Sequence, residues 1–500
     1  MTTDSPPADR RRWLALAVVM TASFMDLVDV TIVNIAMPSI QRDLDASFSV
    51  LQWLGEGYAL AFAIGLITGG RLGDIYGRKK IFLLGMGGFT LASMLCGVVS
   101  DPQLLVAARV LQGLMGALMV PQVLSIIHVT FPAEERGKVF GMFGAIVGLG
   151  AVSGPMLGAL LTQWNILGLE WRPIFLINLP VGIAGLILGR RFIEESKAPQ
   201  ALKLDLVGMV LASVGLLMLL YPLTQGREHD WPVWGFVSMV CAVPVLGGFV
   251  AYERHKSRKD GSPLVELSLF KVKSFAAGIG VQLTFGLTTG IFFLVWTFYM
   301  QIGLGWSALR AGLTGIPFSL AVSAAAGMSV QKLVPRFGRK VLQGGAVVLA
   351  AGVLTYIWEI DRYGASIKSW QMALPLIIMG AGMGLIVAPI TDAVLSEVPR
   401  EHAGSASGLI NTTQQLGNAI GLGLVSVSFF GVVDKADPRT RAMADIFGDA
   451  FTRSLWWVVG GLVVVFGLMY LLPKRKAAAA AAAGEGTEQE QGQGQELVTA

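Results

Sequence analysis

The sequence predicts an all-α membrane protein, built as two six-helix halves with two further helices inserted between them. Three observations predict it: the balance of apolar to charged residues, the number and length of the apolar runs, and the placing of basic residues between those runs. Hydrophobic residues are 54% of the 500 and charged residues 14%, and mean hydropathy is +0.64. A soluble globular chain carries about 25% charge, so this balance belongs to a chain with lipid as its solvent. The 62 glycines fit that class, because small residues let helix backbones approach where no water drives them together. The formal charge of +5 does not indicate nucleic acid, since the basic residues lie in short clusters between apolar runs and form no single patch. Cys96 and Cys241 sit in different runs, so neither a disulfide framework nor a metal site is expected. The four histidines are scattered near loops, and no cofactor is indicated.

The first apolar run, residues 13–37, follows Arg10, Arg11 and Arg12. It exceeds the ~7–15-residue core of a cleavable signal and lacks a small-residue cleavage site after it, so it reads as a permanent span. Thirteen more runs approach the ~20 residues a spanning helix needs: 49–70, 81–99, 103–127, 138–162, 173–191, 204–222, 233–252, 274–301, 307–330, 340–358, 371–397, 404–432 and 454–472. Barrel strands would be about 10 alternating residues, so the spans are helical. Segments 13–191 and 274–472 form the two halves, 204–252 the inserted pair, and 253–273 a basic linker containing Gly261 and Pro263. Residues 1–12 precede the first span, and 473–500 form a low-complexity tail expected to be disordered. With the N-terminus inside, 27 Lys and Arg fall on the cytoplasmic side and 10 on the other, with Arg109 inside a span. That asymmetry predicts an inner-membrane protein with both termini in the cytoplasm. The loops are too short for a soluble catalytic domain and no Walker loop occurs, so neither an enzyme nor an ATP-driven pump is expected.

Four ionisable residues lie at membrane depth. Asp26 and Asp29 are three apart on one face of the first span. Glu56 lies about 9 Å inside the second span, Arg109 about 9 Å inside the fourth, and Asp29 about 24 Å up a core of about 30 Å. The four read as one layer in the outer half. A buried carboxylate costs ~2.5–3.5 kcal/mol on insertion scales, so it faces a cavity or a partner. Burial favours the neutral carboxyl and a neighbouring guanidinium the charged one, so a motion that changed their separation would couple protonation to shape. The group therefore reads as a proton site or a site for a cationic substrate, against the plainer reading of a structural ion pair. Gln112, Asn411, Gln414 and Gln415 could line a cavity or simply join helices. Asp392 is near enough to a span end to reach interfacial water.

The loop after the second span reads Gly70-Arg71-Leu72-Gly73-Asp74-Ile75-Tyr76-Gly77-Arg78-Lys79-Lys80. Glycines permit a tight turn, and Asp74 can accept from helix-end amides or from Arg78. Gly338, Arg339 and Lys340 echo it after the tenth span, as duplicated transporter halves would. In the fifth span Gly141, Gly150, Gly154 and Gly158 flatten a helix face for close packing, and Pro155 favours a bend.

These residues resemble the major facilitator superfamily, and in particular its fourteen-span drug:proton antiporter branch. The loop from Gly70 matches the superfamily's signature, with Arg109, Gln112, Gly113, Gly116 and Ala117 resembling its fourth-span pattern. Asp29, Thr31, Ile32, Val33, Asn34 and Pro38 resemble the branch's first-span signature, and Trp171 to Pro180 its approach to the sixth span. The resemblance implies a multidrug exporter that exchanges protons for small amphipathic or cationic molecules such as antibiotics by alternating access. It implies a gating loop of Gly70, Gly73, Asp74, Gly77, Arg78 and Lys79, and a fifth helix that seals against leak. Ala159 departs from the final glycine of the fifth-span motif. Pro335 stands where Asp74 aligns, so only the first half is expected to hold the charged gate. A proton-coupled importer on the same fold is the alternative, with a channel or receptor further off. The oligomeric state is open, and a monomer suffices.

Overall fold

The computed structural model describes residues 10–164, 168–198, 205–227, 230–259, 263–395, 398–399, 402–436 and 441–472. The expected disordered tail lies outside the described residues, as do Gly261 of the linker and the side chains of Pro155, Asn34 and Pro38.

Each predicted run is helical. In the first half α1 is Arg10–Leu44, α2 Phe48–Tyr76, α3 Arg78–Val98, α4 Pro102–Thr130, α5 Ala133–Trp164 and α6 Pro173–Phe192. The inserted pair are α7, Leu206–Gln225, and α8, Val233–Lys259. In the second half α9 is Lys273–Gly303, α10 Leu309–Met328, α11 Lys340–Tyr363, α12 Ala373–Leu395, α13 Ala403–Ser428 and α14 Met443–Leu468. Among the described residues 13 segments are long and apolar enough to cross a membrane, and the fifth run is the 32-residue α5. Starts follow sequence chemistry: Asp101 accepts from the Leu104 amide at 2.9 Å ahead of Pro102, and Asp205 from the Gly208 amide at 2.8 Å. Such caps satisfy backbone donors that a helix start leaves open.

The structure lengthens several runs, α1 to Leu44, α2 to Tyr76 and α8 to Lys259. The segment expected as a loop from Gly70 is therefore helical up to the turn at Gly77, because its interior glycines and charges interrupt hydropathy without breaking the helix. Two other departures lie elsewhere. The tenth run breaks at Gly315 into Ala308–Thr314 and Ile316–Met328, because Pro317 has no amide to donate and tolerates only the first turn of a helix. The last helix begins eleven residues before the apolar run, at Met443 rather than 454. Asp445, Asp449 and Arg453 interrupt the hydropathy there without interrupting the helix, and Arg441 pairs with Asp449 at 2.7 Å in the exposed first turns.

The two halves repeat one packing scheme. In the first, α4 packs on α2 and α3, α1 on α5 and α6, and α3 on α6; in the second, α12 packs on α10 and α11, α9 on α13 and α14, and α11 on α14. The halves meet through α2 against α13 and α5 against α10, equivalent pairs under the same correspondence. The inserted helices pack on each other, and α7 leans on α2 and α13 at the edge of that seam.

Candidate functional site

The layer of charge expected at membrane depth is present, with one member elsewhere. Asp29 and Arg109 are buried, 0% and 1% exposed, where α1, α2, α4 and α6 meet. Arg109 Nη1 donates to Asp29 Oδ2 at 2.5 Å and to Gln112 Oε1 at 2.7 Å, and its Nε to the Leu54 carbonyl at 3.1 Å. Asp29 Oδ1 accepts from Gln112 Nε2 at 2.9 Å and Asn178 Nδ2 at 2.8 Å. Asn178 in turn donates to Ser93 Oγ at 2.9 Å, which donates to the Phe175 carbonyl at 2.9 Å. The guanidinium lies 4.4 Å from the Tyr58 ring centroid. A buried ion pair repays its desolvation only when its remaining polar atoms are satisfied, and three donors converge on Asp29 here.

Asp26, one turn earlier on α1, is 7% exposed and differently served. Its partner among the described residues is Tyr58, whose hydroxyl donates to Oδ1 at 2.6 Å. Tyr58 thus touches Asp26 through its hydroxyl and Arg109 through its ring. Glu56 does not join this layer: its carboxylate accepts from Gln52 at 3.4 Å and from Gln225 of the inserted α7. It was expected beside Asp29 because depth was read along α2 alone, whereas its position three residues past Trp53 turns it toward α7, where Trp53 stacks on Tyr221.

Gln112, expected as a candidate for the cavity wall, is packed inside the charged cluster. It lines no cavity, being 0% exposed, and bridges Asp29 to Arg109 instead. Asn411 donates to the Ser407 carbonyl of its own helix at 2.9 Å. Gln414 accepts from Gln282 of α9 at 3.0 Å, and Gln415 accepts from Asn418 at 3.1 Å. Tyr58 and Ser93 were not foreseen, since an apolar run hides single polar residues; Asn178 stood in a recognised motif without a role.

The fifth helix serves two seams. A Cβ on Gly150 would meet Leu27 of α1 and one on Gly154 would meet Thr31, whereas Gly141 faces Ala326 and Gly327 of α10. Gly158 is buried, its carbonyl accepting from Thr162 at 2.7 Å.

At the basic end of the bundle Asp74, 1% exposed, binds across the halves. Its Oδ1 accepts from Arg78 Nη2 at 2.7 Å and the Gly404 amide at 3.0 Å, and its Oδ2 from the Ser405 amide at 2.8 Å. A carboxylate from α2 therefore caps α13, where two open amides and the helix dipole favour negative charge. Gly77 turns the chain at φ 110°, and Glu195 caps the α3 that follows, accepting from the Lys79 and Lys80 amides at 3.1 and 3.2 Å. Lys79 Nζ donates to the Arg190 carbonyl at 2.8 Å. Gly73 lies against the Gln122 amide, so a Cβ there would collide with it. The echoing turn at Gly338 has positive φ too, 55°, but Arg339 donates to the carbonyls of Tyr470 and Leu472 within its own half. The halves also touch at this end through Ser125 and Ser407 at 3.2 Å and His128 with the Val398 carbonyl at 3.2 Å.

Gly70 and Gly404 allow that closure, since a Cβ on either would strike the other's carbonyl oxygen. Gly70→Val overpacks the contact by about 1–3 kcal/mol. A cysteine pair replacing Ser125 and Ser407 is then expected to cross-link about tenfold more slowly than in the Gly70 background.

Two similar six-helix halves meeting through paired helices, with a carboxyl–guanidinium pair buried inside the first, are the architecture of a membrane transporter. The Major Facilitator Superfamily model matches residues 19–422, and the chain belongs to that superfamily. The probable actinorhodin transporter of Streptomyces coelicolor is 44% identical over 432 residues, covering 86% of this chain and 75% of that one. The puromycin resistance protein pur8 of Streptomyces alboniger is 32% identical over 471 residues, 93% and 92% of the two chains. In fold, the human organic anion transporter MFSD10 superposes with a TM-score of 0.64 at 16% identity, covering 93% of this chain and 100% of that one. The proton:xylose symporter XylE superposes with a TM-score of 0.62 at 17% identity, covering 93% and 96%.

Proposed function

We propose that this chain is a proton-driven exporter of small amphipathic molecules of the antibiotic kind, a transporter and not an enzyme, working by alternating access in the inner membrane. Similarity to relatives named for antibiotic transport and resistance supports the cargo class. A third, 33% identical over 444 residues, is named the tetracenomycin C resistance and export protein of Streptomyces glaucescens, which supports the direction. The excess of basic residues supports a cytoplasmic placing for both termini and for the end closed by Asp74. Residues 13–191 and 274–472 are the rocking units, with 204–252 inserted and 253–273 linking them.

The contrast between the two first-span acids carries the coupling. Asp29 already holds three donors, one of them the Arg109 guanidinium, so its negative charge is matched where it stands. Asp26 holds one neutral hydroxyl. In this reading Asp26 takes the proton from the outside, and Asp29 with Arg109 is the fixed charge against which it works. A protonated Asp26 holds the Tyr58 hydroxyl less strongly than the carboxylate does, and Tyr58 passes that change to Arg109 through its ring. Release of the proton inward, after the lobes rock, restores the pair.

Asp26→Asn is expected to insert in the membrane at the unmodified level and bind cargo, while losing at least about tenfold in efflux sensitive to an uncoupler. Accumulation of a fluorescent cationic dye and of a panel of antibiotics, in a host without its own pumps, measures this. Undiminished uncoupler-sensitive efflux would remove Asp26 from the proton path.

A further inference from the structure

We infer that the inserted helices carry a second proton-binding site, the facing carboxyl groups of Asp205 and Glu253, at the end of the bundle closed by Asp74. Both residues are buried, at 1% and 0% exposure. Asp205 Oδ1 accepts from the Gly208 amide at 2.8 Å and Glu253 Oε2 from the Val265 amide at 2.9 Å. The remaining oxygens, Asp205 Oδ2 and Glu253 Oε1, are buried with no hydrogen-bond partner among the described residues. They converge on Gly208, where an added Cβ would meet both Glu253 Oε1 and Asp205 Oδ2, the latter at 2.8 Å. Two bare acceptors turned on one another out of water repel, and one shared proton converts that repulsion into a hydrogen bond.

The charged and titratable groups around the pair fit one proton and one residual negative charge. Lys256 Nζ stands 3.8 Å from Asp205 Oδ1. The Tyr252 hydroxyl approaches Asp205 from α8. Arg71 of α2 and Glu266 of the linker also stand near them among the described residues. Arg71 is 1% exposed, and its Nε and Nη2 have no hydrogen-bond partner among the described residues. When the shared proton leaves, the second negative charge draws on Arg71, which lies three residues before the Asp74 that closes the halves.

A chain of contacts joins the site to that closure. Val265 follows Leu264, whose carbonyl accepts from Ser405 Oγ at 2.9 Å, and the Ser405 amide donates to Asp74. Leu264 and Val265 also pack in one apolar cluster with Ile67, Leu216 and Phe249. The site thus reports the proton activity of the side on which it sits to the contact between the halves. Its use in transport rests on the alternating-access reading above, but its existence does not.

The test uses the full chain in lipid nanodiscs without cargo. Infrared titration should show a protonated-carboxyl band that disappears as pH rises, is retained in Asp26→Asn, and is lost in both Glu253→Gln and Asp205→Asn. Spin labels on cysteines replacing the half-exposed Tyr76 and Phe337 should move apart over the same pH range. Glu253→Gln, whose amide supplies the missing donor, should abolish that movement. A band unaffected by both substitutions, or label movement in Glu253→Gln identical to that of the unmodified chain, overturns the proposal. So does a titration displaced by exchanging sodium for potassium at fixed pH, which would assign the site to a metal cation. Because neither readout needs transport, failure here is separable from failure of Asp26 as the coupling acid.

Discussion

Asp29→Leu is expected to cost about 3–5 kcal/mol of folded-state stability, the range for breaking a buried pair from one side. The cost arises because Arg109, 1% exposed and fixed by Leu54 and Gln112, stays charged with its countercharge gone, while Gln112 and Asn178 lose an acceptor. Arg109→Met alone should cost a similar amount, since it leaves the Asp29 carboxylate buried on two neutral amides. The double variant should recover most of the loss, because replacing both members of a buried pair by apolar groups is often near neutral. Asp26→Asn should cost only about 1 kcal/mol, that of one hydrogen bond. Thermal unfolding of the four variants in one detergent, followed by loss of the monodisperse peak, separates these outcomes. Independent, additive losses from Asp29 and Arg109 would show that the two do not act as a pair.

Asp74→Ala is expected to have the second large effect, and on conformation. It removes the acceptor for the Gly404 and Ser405 amides and leaves Arg78 buried without its 2.7 Å partner. Losing a helix cap costs about 0.5–2 kcal/mol, and the loss of the Asp74 carboxylate beside Arg78 adds to that wherever the halves remain closed. The closed arrangement should therefore lose population on the order of 100-fold, at about 1.4 kcal/mol per factor of ten. A cysteine replacing Ser407, which is 0% exposed, should then label with a water-soluble maleimide faster by that order. Unchanged labelling would mean that Asp74 does not hold the halves together.

The helices were legible because lipid imposes a length and a composition on each span, and the repeat was legible in the echo of Gly77-Arg78-Lys79 by Gly338-Arg339-Lys340. Even the asymmetry between those loops was foreshadowed by Pro335: Asp74 reaches across to α13, whereas Arg339 stays within its half. Within the site, Asp29, Arg109 and Asp26 stood out as charges at apolar depth. Their partners did not, because Tyr58, Ser93 and Asn178 are uncharged and cost a span little, so hydropathy passes over them. Glu56 was misplaced for a related reason. Depth along a helix follows from counting, but the neighbour it faces depends on tertiary packing, and the lean of α7 on α2 supplies Gln225. Asp205 and Glu253 stand at the ends of the inserted spans, where acids normally meet interfacial water, and only the fold shows them buried, with Val265 of the linker donating to Glu253.

The most direct measurement is proton movement by the purified chain in liposomes with the voltage held at zero. With the outside more acidic, outward cargo movement against its gradient should be matched by proton entry, and Asp26→Asn should exchange cargo for cargo while moving no protons. Uphill cargo movement that persists at the same rate with the pH difference abolished would contradict proton-driven export by this protein.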